Sequence, residues 1–322
     1  MSPILESVPI VILYPHSRCN CRCVMCDIWK DSTESEISEA ELARHLSDFE
    51  RLSVKWVVLS GGEPLMHSDL FRLCALLKKR NIRITLLSTG LLLERHAAAI
   101  VDSIDDIIVS LDGPPEIHDR IRRIKGAFAL LERGVAAIHN LRPSFTISAR
   151  STVQRQNYLC LRRTATAAKR IGLDSISFLA ADVTSEAFNR INGWNLAKQN
   201  EVALQESDIA VLEEEIMHLI AEWGASGFVR ESPEKLSRIA QHYRAHLNLS
   251  PAIAPQCTAP WVSAVIESNG SMRPCFFHKS IGNLQGSSFA EVLNSPEAQH
   301  FRLNLDVATN PVCKRCVCSL NL

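Results

Sequence analysis

Between residues 8 and 181 short apolar runs alternate with longer amphipathic stretches. VPIVILYP (8–15), VKWVVLS (54–60), IRITLLS (82–88), DIIVSLDG (106–113), SFTISARSTV (144–153) and SISFLAA (175–181) are β-rich. Their near-continuous hydrophobicity predicts strands buried on both faces, as in a parallel sheet covered by helices. The intervening segments predict helices over 38–52, around 68–80, over 91–102, near 126–141 and over 159–172. The first opens with Ser38 and, three residues on, Glu41, the pattern of a capping box. Six βα units are too few for a closed eight-stranded barrel, so the pattern predicts an open partial barrel or a doubly wound sheet.

Beyond residue 190 the character changes. A strong helical stretch, ESDIAVLEEEIMHLIAEWG (206–224), and another near 233–247 read as a helical bridge over 191–250. The proline-containing SPAIAPQC follows, and a cysteine-rich region over 251–322 ends the sequence. Within 1–190, the unusual polar motifs each follow a strand: the cysteines, GGEP (61–64), STG (88–90) and SLDG (110–113). Carboxyl ends of parallel strands are where α/β folds bind ligands, so these motifs predict one site on one rim.

Lys+Arg and Asp+Glu balance at 35 each, so no global field draws in nucleic acid or an acidic membrane. No run of about 18 apolar residues predicts a transmembrane helix. The opening MSPILESVPI lacks a basic region and is broken by Pro3, Glu6 and Pro9, which leaves the cytoplasm as the expected location. Eleven cysteines, an odd number without a secretory signal, argue against a disulfide framework. Cys74 and Cys160 sit among apolar neighbours and read as buried small hydrophobes. The others form an early cluster (Cys19, Cys21, Cys23, Cys26) and a late one (Cys257, Cys275, Cys313, Cys316, Cys318), which predicts two metal sites. Four thiols within eight residues are awkward for one tetrahedral zinc ion. Cys19, Cys23 and Cys26 alone give C-x₃-C-x₂-C, three thiolates that would leave one iron of a [4Fe–4S] cluster open.

This pattern after a first strand resembles the cluster motif of the radical S-adenosylmethionine (SAM) enzymes. Later motifs strengthen the resemblance: Gly61-Gly62-Glu63-Pro64, Ser88-Thr89-Gly90, Ser110-Leu111-Asp112-Gly113, His118-Asp119-x-x-Arg122, and Thr152-Val153 with Asn157. The resemblance implies a partial (β/α)6 TIM-like barrel over 1–190. It implies a SAM-binding [4Fe–4S] cluster on Cys19, Cys23 and Cys26, with SAM held by Gly61, Gly62, Glu63, Pro64, Ser88, Ser110, Asp112 and Arg122. Glu63 would offer a carboxylate to the SAM ammonium. Met25 stands where an aromatic residue often packs near the adenine, Cys21 where Leu or Tyr is usual, and the STG turn lacks the family's Asn. The implied chemistry is reductive cleavage of SAM to a 5′-deoxyadenosyl radical that abstracts a hydrogen atom, with the electron from a flavodoxin or ferredoxin-type donor.

The late cysteines, with Gly270-x₄-Cys275 and Gly282-Asn283-Leu284, resemble the twitch/SPASM extension of the same enzymes. The resemblance implies one auxiliary [4Fe–4S] cluster on Cys257, Cys275, Cys313 and Cys316, fully ligated and suited to electron transfer. Cys318 can substitute for either end of that set of four, and a structural zinc ribbon on the same thiols is the competing reading. The expected substrate is a small molecule, since 18 residues precede Cys19 and leave little room for a peptide-recognition domain. A maturase acting on a ribosomal peptide and, further off, a zinc-stabilised binding module are the alternatives. Arg150 and Asp182 are the candidate catalytic residues at the rim, joined by Trp194 and Asn195 from the bridge.

Overall fold

A computed structural model describes residues 2–321. The expected strands form: β1 (Ile10–Leu13), β2 (Trp56–Leu59), β3 (Arg83–Ser88), β4 (Asp106–Ser110), β5 (Thr146–Val153) and β6 (Ser175–Ala180). Between them run α1 (Glu39–Arg51), α2 (Leu70–Lys78), α3 (Leu93–Ser103), α4 (Pro115–Arg122), α5 (Ala127–Leu141) and α6 (Leu161–Arg170). Ser38 and Glu41 make the reciprocal hydrogen bonds of the capping box at α1. Helix α4 was not expected: its charged sequence PEIHDRIR begins on a proline, which presets the first-turn φ, and ends where Arg123 turns left-handed (φ 56°).

The bridge contains α7 (Leu196–Val202), capped by the Asn195 side chain, then α8 (Glu206–Trp223) and α9 (Pro233–His246). After α10 (Ala259–Val262) come β7 (Ser263–Ile266), β8 (Ser271–Arg273) and β9 (Gly282–Asn283). Helices α11 (Phe289–Leu293), α12 (Pro296–Asn304) and α13 (Pro311–Lys314) complete the chain.

All nine strands join one sheet, in the order β6-β5-β4-β3-β2-β1-β7-β8-β9. β1 to β7 are parallel neighbours, and β8 and β9 add antiparallel. Strand β1 has hydrogen-bonded neighbours on both sides, Ile10 facing Trp56 of β2 and Ser263 of β7. The fold is therefore an α/β partial barrel whose cysteine-rich C-terminal region continues the barrel's own sheet.

Alternation sorts the strand residues. Val11, Leu13, Val57, Leu59, Ile84 and Leu86 are buried under the helices in the main core. Each such side chain contributes about 1.5–3 kcal/mol by leaving water. Ile10, Ile12 and Val265 point the other way and form a small separate cluster with Trp56, Val58, Phe276 and Leu320. Beyond it the inner face of the sheet borders a partly open cavity of about 310 Å³, lined by β1 to β6, α9 and the late cysteines. Among the described residues no helix is long and apolar enough to cross a membrane.

Candidate iron–sulfur and cofactor site

The loop from Arg18 to Asp27 leaves the carboxyl end of β1 and has almost no regular structure of its own. Its shape comes from backbone hydrogen bonds to three distant segments. Glu63 N–H donates to the Arg18 carbonyl (3.0 Å), Arg22 and Val24 donate to the carbonyls of Arg122 (3.2 Å) and Ile121 (3.1 Å), and Asp27 donates to that of Phe188 (3.2 Å). The approach of GGEP is so close that a Cβ on Gly62 would stand 1.8 Å from the Arg18 oxygen, and Gly61 takes φ +92° against the Tyr14 ring. His16 fastens the same corner: Nε2–H donates to the Glu63 carbonyl (2.5 Å), while Nδ1 accepts from Arg18 N–H (3.1 Å).

Glu63 is wholly buried. Its carboxylate accepts from Leu65 N–H (3.1 Å), Ser88 Oγ (3.0 Å), Thr89 N–H (2.6 Å) and Thr89 Oγ1 (2.6 Å). Burial pushes its pKa up, against those donors. Glu63 thus welds GGEP to the STG turn, and Pro64 opens a short 3-10 turn directly after it. Thr89 Oγ1 lies also 3.0 Å from Asn20 Oδ1, beside the first ligand candidate.

Asp112 is also wholly buried and pairs with Arg122 (Oδ2–Nη2, 2.5 Å), while Oδ1 accepts from Thr152 N–H (2.9 Å). Asn157 Nδ2 donates to the Asp112 carbonyl (2.9 Å) and the Thr152 carbonyl (3.1 Å), joining the fourth- and fifth-strand motifs. Arg122 Nη1 then reaches Cys23 Sγ at 3.4 Å. The neighbouring Cys21 thiol and the Arg122 guanidinium pull the Cys23 pKa down despite burial. Cys21 is therefore a neighbour of a ligand candidate. Burial pushes Cys19 and Cys26 up to about 12. Ser110 at the end of β4 is half-buried and makes no hydrogen bond through its side chain among the described residues.

After β6, sequence reasoning marked Asp182, Trp194 and Asn195 but missed Arg190, which joins the first two. Asp182 is buried and ion-paired with Arg190 (2.6 Å), whose Nη2 donates to the Met25 carbonyl (2.7 Å). The Arg190 guanidinium lies 3.9 Å from the centre of the Trp194 ring, and Trp194 Nε1 donates to Asp27 Oδ2 (2.6 Å). The two outer candidates thus separate. Asp182 holds the cysteine loop through Arg190, whereas Arg150 opens onto the cavity, its Nε 3.3 Å from Ser177 Oγ. Arg190 carried no signal, being a lone cation in an irregular stretch.

Cys257, Cys275, Cys316 and Cys318 line one wall of the cavity, and Cys313 is close enough to Cys275 and Cys257 for their charges to raise its pKa. Burial raises Cys275 to about 11 and Cys313 to about 12. His278, also unflagged by the sequence, is buried with Nε2 3.4 Å from Cys313 Sγ and its ring edge-on to Phe301. Among the described residues, no three His, Cys, Asp or Glu side chains gather as they would around a single ion. The donor chemistry fits an iron–sulfur group: three thiols on one loop, with hydrogen-bond donors from Arg122 and from Ile28 N–H aimed at two of them.

The chain is thus a parallel partial barrel with a thiol loop at the carboxyl edge of β1 and a second thiol set on the inner wall. Residues 13–156 match the Radical SAM superfamily and residues 257–317 an iron–sulfur cluster-binding domain, SPASM. The chain belongs to the radical SAM superfamily and carries a C-terminal SPASM domain. It is 32% identical over 157 residues to the Fe-coproporphyrin III synthase of Methanosarcina barkeri, covering 47% of this chain and 39% of that protein. It is 30% identical over 209 residues to the AdoMet-dependent heme synthase of the same organism, covering 58% and 57%. The chain thus spans roughly half the length of these relatives. Its fold matches anSMEcpe, solved with bound AdoMet, at TM-score 0.69 and 20% identity over 95% of this chain and 86% of that one.

Proposed function

We propose that this chain is a radical SAM enzyme that takes a hydrogen atom from a small organic substrate held in the barrel cavity. The observation that carries the reading is the convergence on one loop: GGEP touches it at Arg18, STG at Asn20, the Asp112–Arg122 pair at Cys23, and Arg190 at Met25. Cys19, Cys23 and Cys26 would hold the first [4Fe–4S] cluster, with Arg122 and Cys21 stabilising the Cys23 thiolate. The backbone of Gly61 and Gly62, with Ser88, Ser110 and the turn at Asp112, would bind SAM. Glu63 and Arg122 would position those groups, their charges being engaged within the protein. Met25 would pack beside the cofactor, held by Arg190. The cluster and SAM together supply reductive cleavage of a sulfonium bond, and so an agent able to abstract hydrogen.

Cys257, Cys275, Cys313 and Cys316 would hold one auxiliary cluster on the cavity wall, within reach of a substrate electron, and Arg150 would contact the substrate. Each cleavage consumes one electron, so a flavodoxin or ferredoxin-type donor is required. Two relatives named as synthases of Fe-coproporphyrin III and heme favour a small substrate over a ribosomal peptide. The test is anaerobic reconstitution followed by iron, sulfide and 5′-deoxyadenosine assays. About eight iron and eight sulfide are expected, falling by about four when Cys19, Cys23 and Cys26 become Ala. 5′-Deoxyadenosine should form from SAM and a reductant. Zinc without sulfide overturns the reading.

A further inference from the structure

We propose that the barrel cavity takes a small organic acid, an apolar body carrying one or more carboxylates. This deepens the reading above, since it rests on the cavity being the substrate site. One wall of the cavity is the largely apolar inner face of β1 to β4, but five cations, Arg150, Lys235, Arg238, Lys314 and Arg315, gather around the rest. Glu231 is the one carboxylate among the described residues that line it. None of the five cations forms an ion pair among the described residues, and their side-chain hydrogen bonds there run from Arg150 to Ser177 Oγ and from Arg238 to the Ile253 carbonyl. In a chain whose charges balance overall at 35 and 35, this is a local excess of positive charge.

The position of Arg150 separates this from an ordinary solvated surface. Its strand lies between β4 and β6, and its neighbours Ala149 and Ser151 are buried on the opposite face. The solvent it meets is the solvent of the cavity. An all-thiolate [4Fe–4S]²⁺ cluster would bring a net charge of −2 to the same wall, which offsets only part of the excess. The remainder faces the open part of the cavity, where low-dielectric walls focus it. A carboxylate on an apolar body meets both features at once, and a neutral or cationic body of the same shape does not.

The test uses three fluorescent probes with one apolar body: pyrenebutyrate, its methyl ester, and pyrenemethylammonium. Each is equilibrated by dialysis with the reconstituted enzyme. The anion is expected to bind at least about tenfold more tightly than the ester or the cation. The Lys235→Gln/Arg238→Gln variant, altered at α9 side chains outside the core, is expected to lose most of that advantage with iron content unchanged. Equal binding of the three probes overturns the inference, as does an anion preference that survives in the variant. Loss of about four iron from the variant overturns it too, since the cations would then serve the cluster. A carboxylate can also come from a peptide: displacement of pyrenebutyrate by an alternating Glu-Leu hexapeptide at lower concentration than by adipate moves the source to a peptide and overturns the small acid. 5′-Deoxyadenosine is assayed in the same preparations. Its formation without anion preference sinks this inference alone, whereas its absence sinks the reading beneath it.

Discussion

Asp112 and Arg122 are both buried, so neither charge has water to fall back on when the other is removed. Asp112→Asn should destabilise the cluster-free protein by about 3–5 kcal/mol, measured by urea unfolding, because it leaves the guanidinium buried and unpaired. A loss within the range of a surface pair, below about 1 kcal/mol, would mean the site is wetter than its packing implies. His278 acts at the other centre. An N–H donated to a ligand sulfur stabilises the more negative, reduced cluster, so His278→Ala should lower the midpoint potential of the C-terminal cluster in an EPR-monitored titration. His278→Gln, which retains a donor, should restore much of it, and an unmoved potential in the Ala variant would leave His278 a packing residue. The sequence flagged Asp112 and Arg122 by motif but not as partners, because the helix that turns one toward the other was not foreseen. It could not flag His278 or Arg190 at all. Each is a single polar residue in an irregular stretch, and its meaning comes only from what lies across the fold.

The cysteine loop owes its form to the elements around it, so changes in those elements should register there. Gly62→Ala places a methyl group into the Arg18 carbonyl. The loop must move, and reconstituted protein is expected to bind about four fewer iron atoms, with the C-terminal centre still filled. Full iron content would show that the two backbones can part without cost to the site. Arg190→Ala frees the Met25 carbonyl and strands the buried Asp182 carboxylate, which should raise the rate of limited proteolysis in the 184–192 stretch, where Phe188, Asn189 and Asn192 already hold left-handed φ. Unchanged cleavage there would assign that stretch another anchor. The main elements were legible because the inner face of the strands is largely apolar as well as the face under the helices, which leaves near-continuous apolar runs, and because the Ser38 and Glu41 cap is written within four residues. Helix α4 and strands β7 to β9 were not. The helix is short and charged, and the strands run two to four residues, below the length at which periodicity speaks.

At the scale of the whole molecule the C-terminal region is structurally continuous with the barrel, since β7 covers the edge of β1 and Phe276 and Leu320 cover Ile10 and Ile12. A chain ending at residue 250 should therefore expose a strand edge and an apolar patch, and elute from size exclusion as aggregate. A well-behaved monomer would show that β1 needs no second neighbour. Two clusters of cysteines at opposite ends of the sequence pointed to two thiol sets, yet nothing in their spacing said that the late set would line the inner wall of the barrel. That follows from strand order, which a linear reading does not supply. The same strand order sets a clock. Leu13 and Ser263 are 250 residues apart, so at about 5–20 residues per second a ribosome leaves the first strand half-paired for roughly 12–50 seconds. For that interval the nascent chain carries four closely spaced thiols beside an open strand edge. Survival of the newborn protein then depends on chaperone occupancy, and its yield should respond to translation speed along the message between the codons for residues 60 and 263.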